Sequence, residues 1–357
     1  MDYLPSEAKQ AARERFTGLW AAITTPFGAA GELDEAALRR DLDRLTGELR
    51  IDGVFCGGVM SEFWALSGAE RRRLVEVVVQ CCRGKCPVLA HTGHHSAAET
   101  IELTRHAARA GADFAVVINP YYPPATDEGL YRWFEQVCAS AGIGIWLFDT
   151  GYSGVALSTG LIRRLATIEN VCGIKVGRPH DRYLELLAAV GDTILVCSPH
   201  EETWLENMRD HGQRVYMSTA APYLYQTPGW QPMREYTRLA LGGDIAGAEK
   251  TAAACLVSSM VSAALWCPVC ASTGHQPPAR STTTSVSCRR SAPDRAQNSL
   301  ITPPQKIPLT PRLPVSRSRS SRSAATSSRP AGSNGVVMAA HRPVKQSLAA
   351  CLASAFE

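Results

Sequence analysis

No apolar run in this 357-residue chain approaches the roughly 20 residues that a membrane-spanning helix requires. The opening Met1-Asp2-Tyr3-Leu4-Pro5-Ser6-Glu7 lacks a basic segment followed by an apolar one, so it does not read as a secretory signal. Without such a signal, twelve cysteines read as reduced thiols and not as a disulfide framework, and the expected compartment is the cytoplasm. Cys56, Cys172 and Cys197 lie inside apolar runs, where a free thiol behaves as a small hydrophobe. A glycine-rich dinucleotide fingerprint is missing after the first apolar run, which argues against a doubly wound nucleotide-binding sheet. Acid is scarce in one region only. From Cys267 to Glu357, twelve Lys and Arg face just Asp294 and Glu357, whereas residues 1–266 carry 25 basic and 31 acidic side chains. The net charge of +4 thus averages a mildly acidic body and a strongly basic tail.

What the body does contain is a regular alternation. Eight short apolar runs, near Leu19, Val54, Val88, Val116, Ile145, Ile174, Val196 and Tyr216, are each followed by a longer stretch with helical spacing. Capping boxes open two of these stretches, at Ser67-Gly68-Ala69-Glu70 and Ser96-Ala97-Ala98-Glu99. The last helical pattern runs from about Met233 to Leu265. Eight strand–helix units in unbroken order predict an α/β fold, a (β/α)8 TIM barrel with C-terminal helices. The expected organisation is an N-terminal extension over residues 1–15, the barrel over 16–265, and a Ser/Arg/Pro-rich tail over 266–357. The tail has almost no acid and little apolar periodicity, so disorder is expected there. Its sudden onset is what a shifted reading frame would produce, and resequencing the DNA over codons 264–280 tests that reading. Its Ser-Arg run is read as a solvated segment without a nucleic-acid partner, and the lone Cys267-Pro268-Val269-Cys270 as accidental, since a zinc site needs four ligands.

Catalytic groups of such barrels collect at the C-terminal ends of the strands. Lys175 is the most informative of them. It ends the apolar run Val171-Cys172-Gly173-Ile174-Lys175, where desolvation favours the neutral, nucleophilic amine. A lysine in that form makes Schiff bases with carbonyl compounds. The plain alternative is a lysine that snorkels past the strand end to water. Around it the other strand ends supply Thr25, Gly58-Val59-Met60-Ser61-Glu62, His91-Thr92-Gly93-His94-His95, Asn119-Pro120-Tyr121-Tyr122, Phe148-Asp149-Thr150 and Ser218. Phenols and imidazoles beside an amine suit proton transfer during imine chemistry. Adjacent histidines on one loop do not match a tetrahedral zinc pattern, so no metal is expected.

Thr24-Thr25-Pro26-Phe27, Gly57 to Glu62, Asn119-Pro120-Tyr121-Tyr122 with Gly129-Leu130-Tyr131, and Gly173-Ile174-Lys175 together carry a family resemblance. From about Phe16 to Leu265 the chain resembles the dihydrodipicolinate synthase / N-acetylneuraminate lyase superfamily of class I aldolases and lyases. The resemblance implies a Schiff-base lysine at Lys175 and no cofactor. It also implies a pyruvate-like 2-oxo acid and an aldehyde or its adduct as substrates, and a homo-oligomer, dimer or tetramer. On this reading Lys175, Tyr122, Phe148 and Asp149 occupy catalytic positions. Thr25, Gly58, Val59, Met60, Ser61, Glu62, Tyr121, Tyr152 and Ser218 line the substrate.

The chain departs from the family's pattern at three places. Val59 and Met60 stand where hydroxyl residues usually hold the substrate carboxylate. Phe148 stands where the catalytic tyrosine ends strand five, and no arginine follows it in Asp149-Thr150-Gly151-Tyr152-Ser153. The basic tail replaces the family's terminal helical segment. Another acid/base among Tyr152, Tyr122, His94 and Asp149 would restore the proton carrier; without one, the chain would be an inactive barrel acting as a binding or scaffold protein. Met60, Phe63, Trp64 and Phe148 would suit a bulky or aromatic substrate.

Overall fold

The computed structural model describes residues 2–122, 125–217 and 221–253. The eight apolar runs form β1 (Gly18–Ala22), β2 (Gly53–Cys56), β3 (Val88–His91), β4 (Phe114–Ile118), β5 (Gly144–Thr150), β6 (Val171–Gly177), β7 (Leu195–Cys197) and β8 (Val215–Met217). All pair in parallel, in the order β7-β6-β5-β4-β3-β2-β1-β8. The helices are α1 (Ala8–Arg15), α2 (Glu35–Asp43), α3 (Gly68–Cys82), α4 (Ala97–Ala110), α5 (Asp127–Ser140), α6 (Thr159–Ala166), α7 (His180–Val190), α8 (Trp204–His211), α9 (Ala221–Leu224) and α10 (Pro232–Leu241). Asp34, Ser67, Ser96, Thr126 and Ser158 cap α2 to α6 by accepting an amide N–H three residues on. Each such cap contributes about 1 kcal/mol.

Strands β1 to β5 are buried along their whole length, as a parallel sheet covered on both faces requires. Alternate residues separate into two layers. Ala21, Val54, Ala90, Val117, Leu147 and Ile174 pack outward against the helices. Trp20, Phe55, Leu89, Val116, Trp146, Phe148 and Cys172 fill the barrel interior. Ala8, Ala11, Ala12 and Phe16 join that inner cluster, so α1 and the residue after it plug one end of the barrel. Tyr3 reinforces the plug by donating to the Asp113 carbonyl and accepting the Gly144 amide. The segment expected as a mere N-terminal extension is therefore built into the barrel.

Between β5 and β6 the register shifts: Ile145 pairs with Val171, but Trp146 pairs with Gly173. This β-bulge leaves Cys172 unpaired and turns both Cys172 and Lys175 to the interior, three residues apart instead of two or four. Gly173 is needed there, because a Cβ would lie 2.5 Å from the Trp146 ring.

The sheet's two edges, β7 and β8, lie side by side without a ladder among the described residues. A side chain stitches them. Gln213 Nε2 donates to the carbonyls of Ser198 (2.9 Å) and Val215 (2.8 Å), while its Oε1 accepts the Ser198 amide at 3.1 Å. The primary amide thus stands in for a peptide group at the seam.

The last helical pattern is not one helix. It ends at Leu241, breaks at Gly242-Gly243, where Gly243 takes φ +90°, and resumes over 245–253. The remainder of that pattern, the tail with its CxxC motif, and Ser218 lie outside the described residues. No helix among the described residues is long and apolar enough to cross a membrane.

Replacing Gln213 by Leu removes the stitch and strands buried backbone groups, each costing about 1–3 kcal/mol. The Gln213→Leu variant should therefore unfold at a clearly lower urea concentration than the parent. An unchanged midpoint would show that the seam is held by other contacts.

Candidate active site

Lys175 pairs in register with Phe148 on one side and Cys197 on the other, and both belong to the inner cluster. Its side chain is 5% exposed, with Nζ 4.7 Å from the centroid of Phe55 and 5.2 Å from that of Phe148. The two rings meet edge to face. Their faces offer cation–π attraction, but they cannot solvate an ammonium as water does. Burial accordingly lowers the Lys175 pKa from 10.5 to about 8, with a small opposing effect from the Cys197 thiol. A useful fraction of neutral amine therefore exists near neutral pH.

The loop after β2 is held by side chains that the sequence marks as substrate contacts. Ser61 Oγ donates to the Ile23 carbonyl at 2.6 Å and accepts the Gly57 amide at 3.0 Å. Thr25 Oγ1 donates to the Ser61 carbonyl at 2.8 Å. Both hydroxyls thus fasten the β2 loop to the end of β1. Gly58 is required by close approach, since a Cβ would sit 2.5 Å from the Phe55 ring that carries Lys175. Among the described residues, the Gly58, Val59 and Met60 amides meet no acceptor. Val59 and Met60 pack on the inner cluster beside Tyr121. Glu62 follows with φ +52°, an unusual left-handed conformation for a residue with a side chain.

His91 pairs with Val116, an interior residue, and so faces inward. Arg71 of α3 reaches it from outside, its guanidinium 3.3 Å from Nδ1 and 3.1 Å from the backbone carbonyl. Arginine only donates, so Nδ1 accepts and the proton of the neutral ring sits on Nε2. Burial, aided by the charges of Arg71 and Lys175, holds the His91 pKa well below 6.5. Among the described residues, His91 Nε2 is buried without a hydrogen-bond partner. Burial also lowers the Arg71 pKa to about 10. Phe63 packs against both groups, its ring centroid 4.6 Å from that of His91 and 5.3 Å from the guanidinium, and meets Tyr121 edge-on at 6.1 Å. Tyr121 Oη lies 3.4 Å from His95 Nδ1.

The structure thus gathers Lys175, Phe148, the β2 loop, His91 and Tyr121 at one mouth. Asp149 is directed elsewhere. Asp149 follows inward-facing Phe148, points outward with Leu147, and is fully buried beside Arg178 (2.9 Å) and Arg182 (3.6 Å). It is the centre of an ion-pair network and not a base poised at Lys175. Tyr122 and Tyr152 are 80% and 55% exposed, and His94 Nδ1 accepts the Ser96 amide. The pairing of His91 with Arg71 is the feature that motif reading missed. The alternation Leu89-Ala90-His91 was the available sign, because it places His91 on the face that Leu89 occupies.

A model of the dihydrodipicolinate synthetase family matches residues 15–265. The chain is 42% identical over 161 residues to the 4-hydroxy-tetrahydrodipicolinate synthase of Methanothrix thermoacetophila, covering 45% of this chain and 54% of that protein. It is 32% identical over 239 residues to the enzyme of the same name from Syntrophobacter fumaroxidans, covering 66% and 79%. Among solved structures it resembles YagE, a prophage protein of the dihydrodipicolinic acid synthase family from Escherichia coli K12, in complex with pyruvate. That likeness has a TM-score of 0.60 and 30% identity, and covers 68% of this chain and 80% of the other. The chain spans about half the length of the first of these relatives.

A depressed lysine pKa makes the amine a burden on the fold. Below pH 8 both folded and unfolded chains hold the proton, and the folded state bears the full desolvation cost. Between about 8 and 10.5 only the unfolded chain still holds it, so the cost fades as pH rises. Replacing Lys175 by Met should therefore stabilise the fold at pH 7, by up to about 3 kcal/mol, and by much less at pH 10. Urea denaturation at the two pH values checks this; a gain independent of pH would mean that the amine is not desolvated.

Proposed function

Because the chain belongs to the dihydrodipicolinate synthetase family, we propose that it is a class I aldolase or lyase in which Lys175 forms a Schiff base with pyruvate or another 2-oxo acid. The observation that carries this reading is the lysine itself, a buried amine with its pKa lowered to about 8 at the mouth of a (β/α)8 barrel. The pyruvate complex of the similar Escherichia coli protein supports the substrate class.

The chemistry follows from the amine. Neutral Nζ attacks the keto carbon, and the carbonyl oxygen takes a proton to give a carbinolamine. Loss of that oxygen as water yields the protonated imine. The imine nitrogen draws electrons from the adjacent carbon, which either releases a proton or gives up a bound aldehyde. The enamine left behind adds an aldehyde in one direction and a proton in the other. No cofactor is needed, because the imine is the electron sink.

The amides of Gly58, Val59 and Met60 are the groups suited to the 2-oxo acid's carboxylate, since the Thr25 and Ser61 hydroxyls are engaged with backbone. Proton transfer falls to Tyr121 and His91, which share the mouth with Lys175. Neutral His91, with its proton on Nε2, serves as a donor to a developing oxyanion. Met60, half-exposed Trp64 and Phe148 present apolar surface to the aldehyde partner, which favours a bulky or aromatic one. A cytoplasmic location and a homo-oligomeric state belong to the same proposal.

One observation favours a second reading. The phenyl ring of Phe148 faces Nζ at 5.2 Å without the hydroxyl of a phenol. A barrel that still captures 2-oxo acids but turns nothing over would serve as a binding protein.

Borohydride reduction in the presence of pyruvate, followed by peptide mass spectrometry, tests both. A reduced adduct on the Lys175 peptide, absent from the Lys175→Met variant, is expected. Phe148→Tyr should keep that adduct. Trapping without turnover of any aldehyde would favour the binding protein. No adduct with pyruvate or a panel of 2-oxo acids, from folded protein, would overturn the imine mechanism.

A further inference from the structure

Outside the barrel mouth, α7 and α8 bring His180, Glu206 and His211 together. One donor atom from each lies within 4.8 Å of the other two. His180 Nε2 is 3.9 Å from Glu206 Oε1, and the two imidazole rings are 6.0 Å apart. Both ring nitrogens of His180 are shielded from solvent and, among the described residues, meet no hydrogen-bond partner. An imidazole always carries at least one N–H to place, and in its neutral form a lone pair as well. Leaving both unanswered is costly, and such a group calls for an explanation. The Tyr183 hydroxyl beside them is in the same condition, and its ring packs 5.6 Å from His180 and 6.4 Å from His211. Among the described residues, Glu206 has no lysine or arginine partner and pairs only with His180.

We propose that His180, Glu206 and His211 bind a divalent transition-metal ion, zinc foremost, which clamps α7 to α8. Two imidazoles and a carboxylate form a three-ligand zinc set with a fourth position left for water. Imidazole donors also suit copper and nickel, so those ions compete. Donors arranged tetrahedrally about zinc sit roughly 3.4 Å apart. The present spacing reaches that value by small rotations, chiefly of Glu206, whose side chain is 48% exposed. The ion would answer one His180 nitrogen directly, and its water would be placed to answer a neighbouring polar group. The clamp would also brace the catalytic strand, because α7 begins three residues after β6 ends. Close by, His200 in the segment before α8 lies with its Nε2 3.1 Å from the carbonyl of Arg178, which precedes α7.

The test uses the full-length chain, stripped with EDTA and titrated with zinc chloride against a chromophoric chelator. One zinc per chain should bind, raising the melting temperature as its concentration rises. A His180→Gln/His211→Gln variant should bind at least about tenfold more weakly and lose most of that rise. Should the double variant fail to fold, Glu206→Gln at its exposed position gives the same reading, with a metal-free melting temperature equal to the parent's. Cobalt separates this site from the cysteines: the complex should show ligand-field bands without a sulfur-to-metal charge-transfer band. Variants that bind zinc like the parent would overturn the proposal, as would a cobalt spectrum dominated by sulfur charge transfer.

Discussion

The site depends on one unfavourable placement, an amine held between two phenyl rings inside a barrel. Water would solvate the ammonium far better than Phe55 and Phe148 do, so the fold bears a standing cost to keep Lys175 there. A depression from 10.5 to about 8 corresponds to a penalty of about 3 kcal/mol at neutral pH, large against the 5–15 kcal/mol net stability of ordinary domains. The surroundings explain how it is tolerated. Trp20, Trp146 and Phe114 are fully buried in the same interior, and α1 seals the end away from the mouth. The bulge at Cys172 performs the decisive rotation. Without it, strict alternation from Cys172 would turn position 175 outward, toward the helices.

Polar groups near the lysine divide into those that hold the scaffold and those left for a ligand. Thr25 and Ser61 have the hydroxyls that chemistry would want, but their bonds to Ile23, Gly57 and the Ser61 carbonyl fix the β2 loop. What they fix is the run of amides at Gly58, Val59 and Met60. If those amides hold the carboxylate as proposed, side-chain hydroxyls at 59 and 60 would be dispensable, because a backbone amide donates as well as a hydroxyl and needs no rotamer fixed. Asp149 makes the same point in reverse. It looks catalytic in sequence, next to Phe148, yet it neutralises Arg178 and Arg182 behind the sheet.

Much of the architecture was legible because it rests on local rules. The apolar runs near Val54, Val116 and Ile174 are the strands Gly53–Cys56, Phe114–Ile118 and Val171–Gly177, and the Ser67 and Ser96 caps sit where their side-chain patterns placed them. What was not legible depends on contacts far apart in the chain. Nothing local marks α1 as a barrel plug, because its burial is decided by Phe114 and Trp146 more than 90 residues away. Nothing local marks Gln213 as the stitch between β7 and β8. Asp149 was different: its direction was deducible, since a Phe148 that lines the barrel forces the next residue outward.

The pairing of Arg71 with His91 bears on how a barrel without the usual phenol would move protons. A guanidinium committed to Nδ1 and to the His91 carbonyl fixes the ring and its tautomer together. A fixed neutral imidazole donates without first losing a proton to solvent, and its low pKa keeps it neutral while Lys175 gains and loses charge nearby. Repulsion works in both directions: a protonated Lys175 disfavours a protonated His91, so the mouth resists holding two positive charges at once. A phenol at position 148 would answer an oxyanion beside the lysine directly. In the proposed mechanism, an imidazole held across the mouth by Arg71 would answer it from the β3 side instead, leaving the Phe148 position free to be apolar.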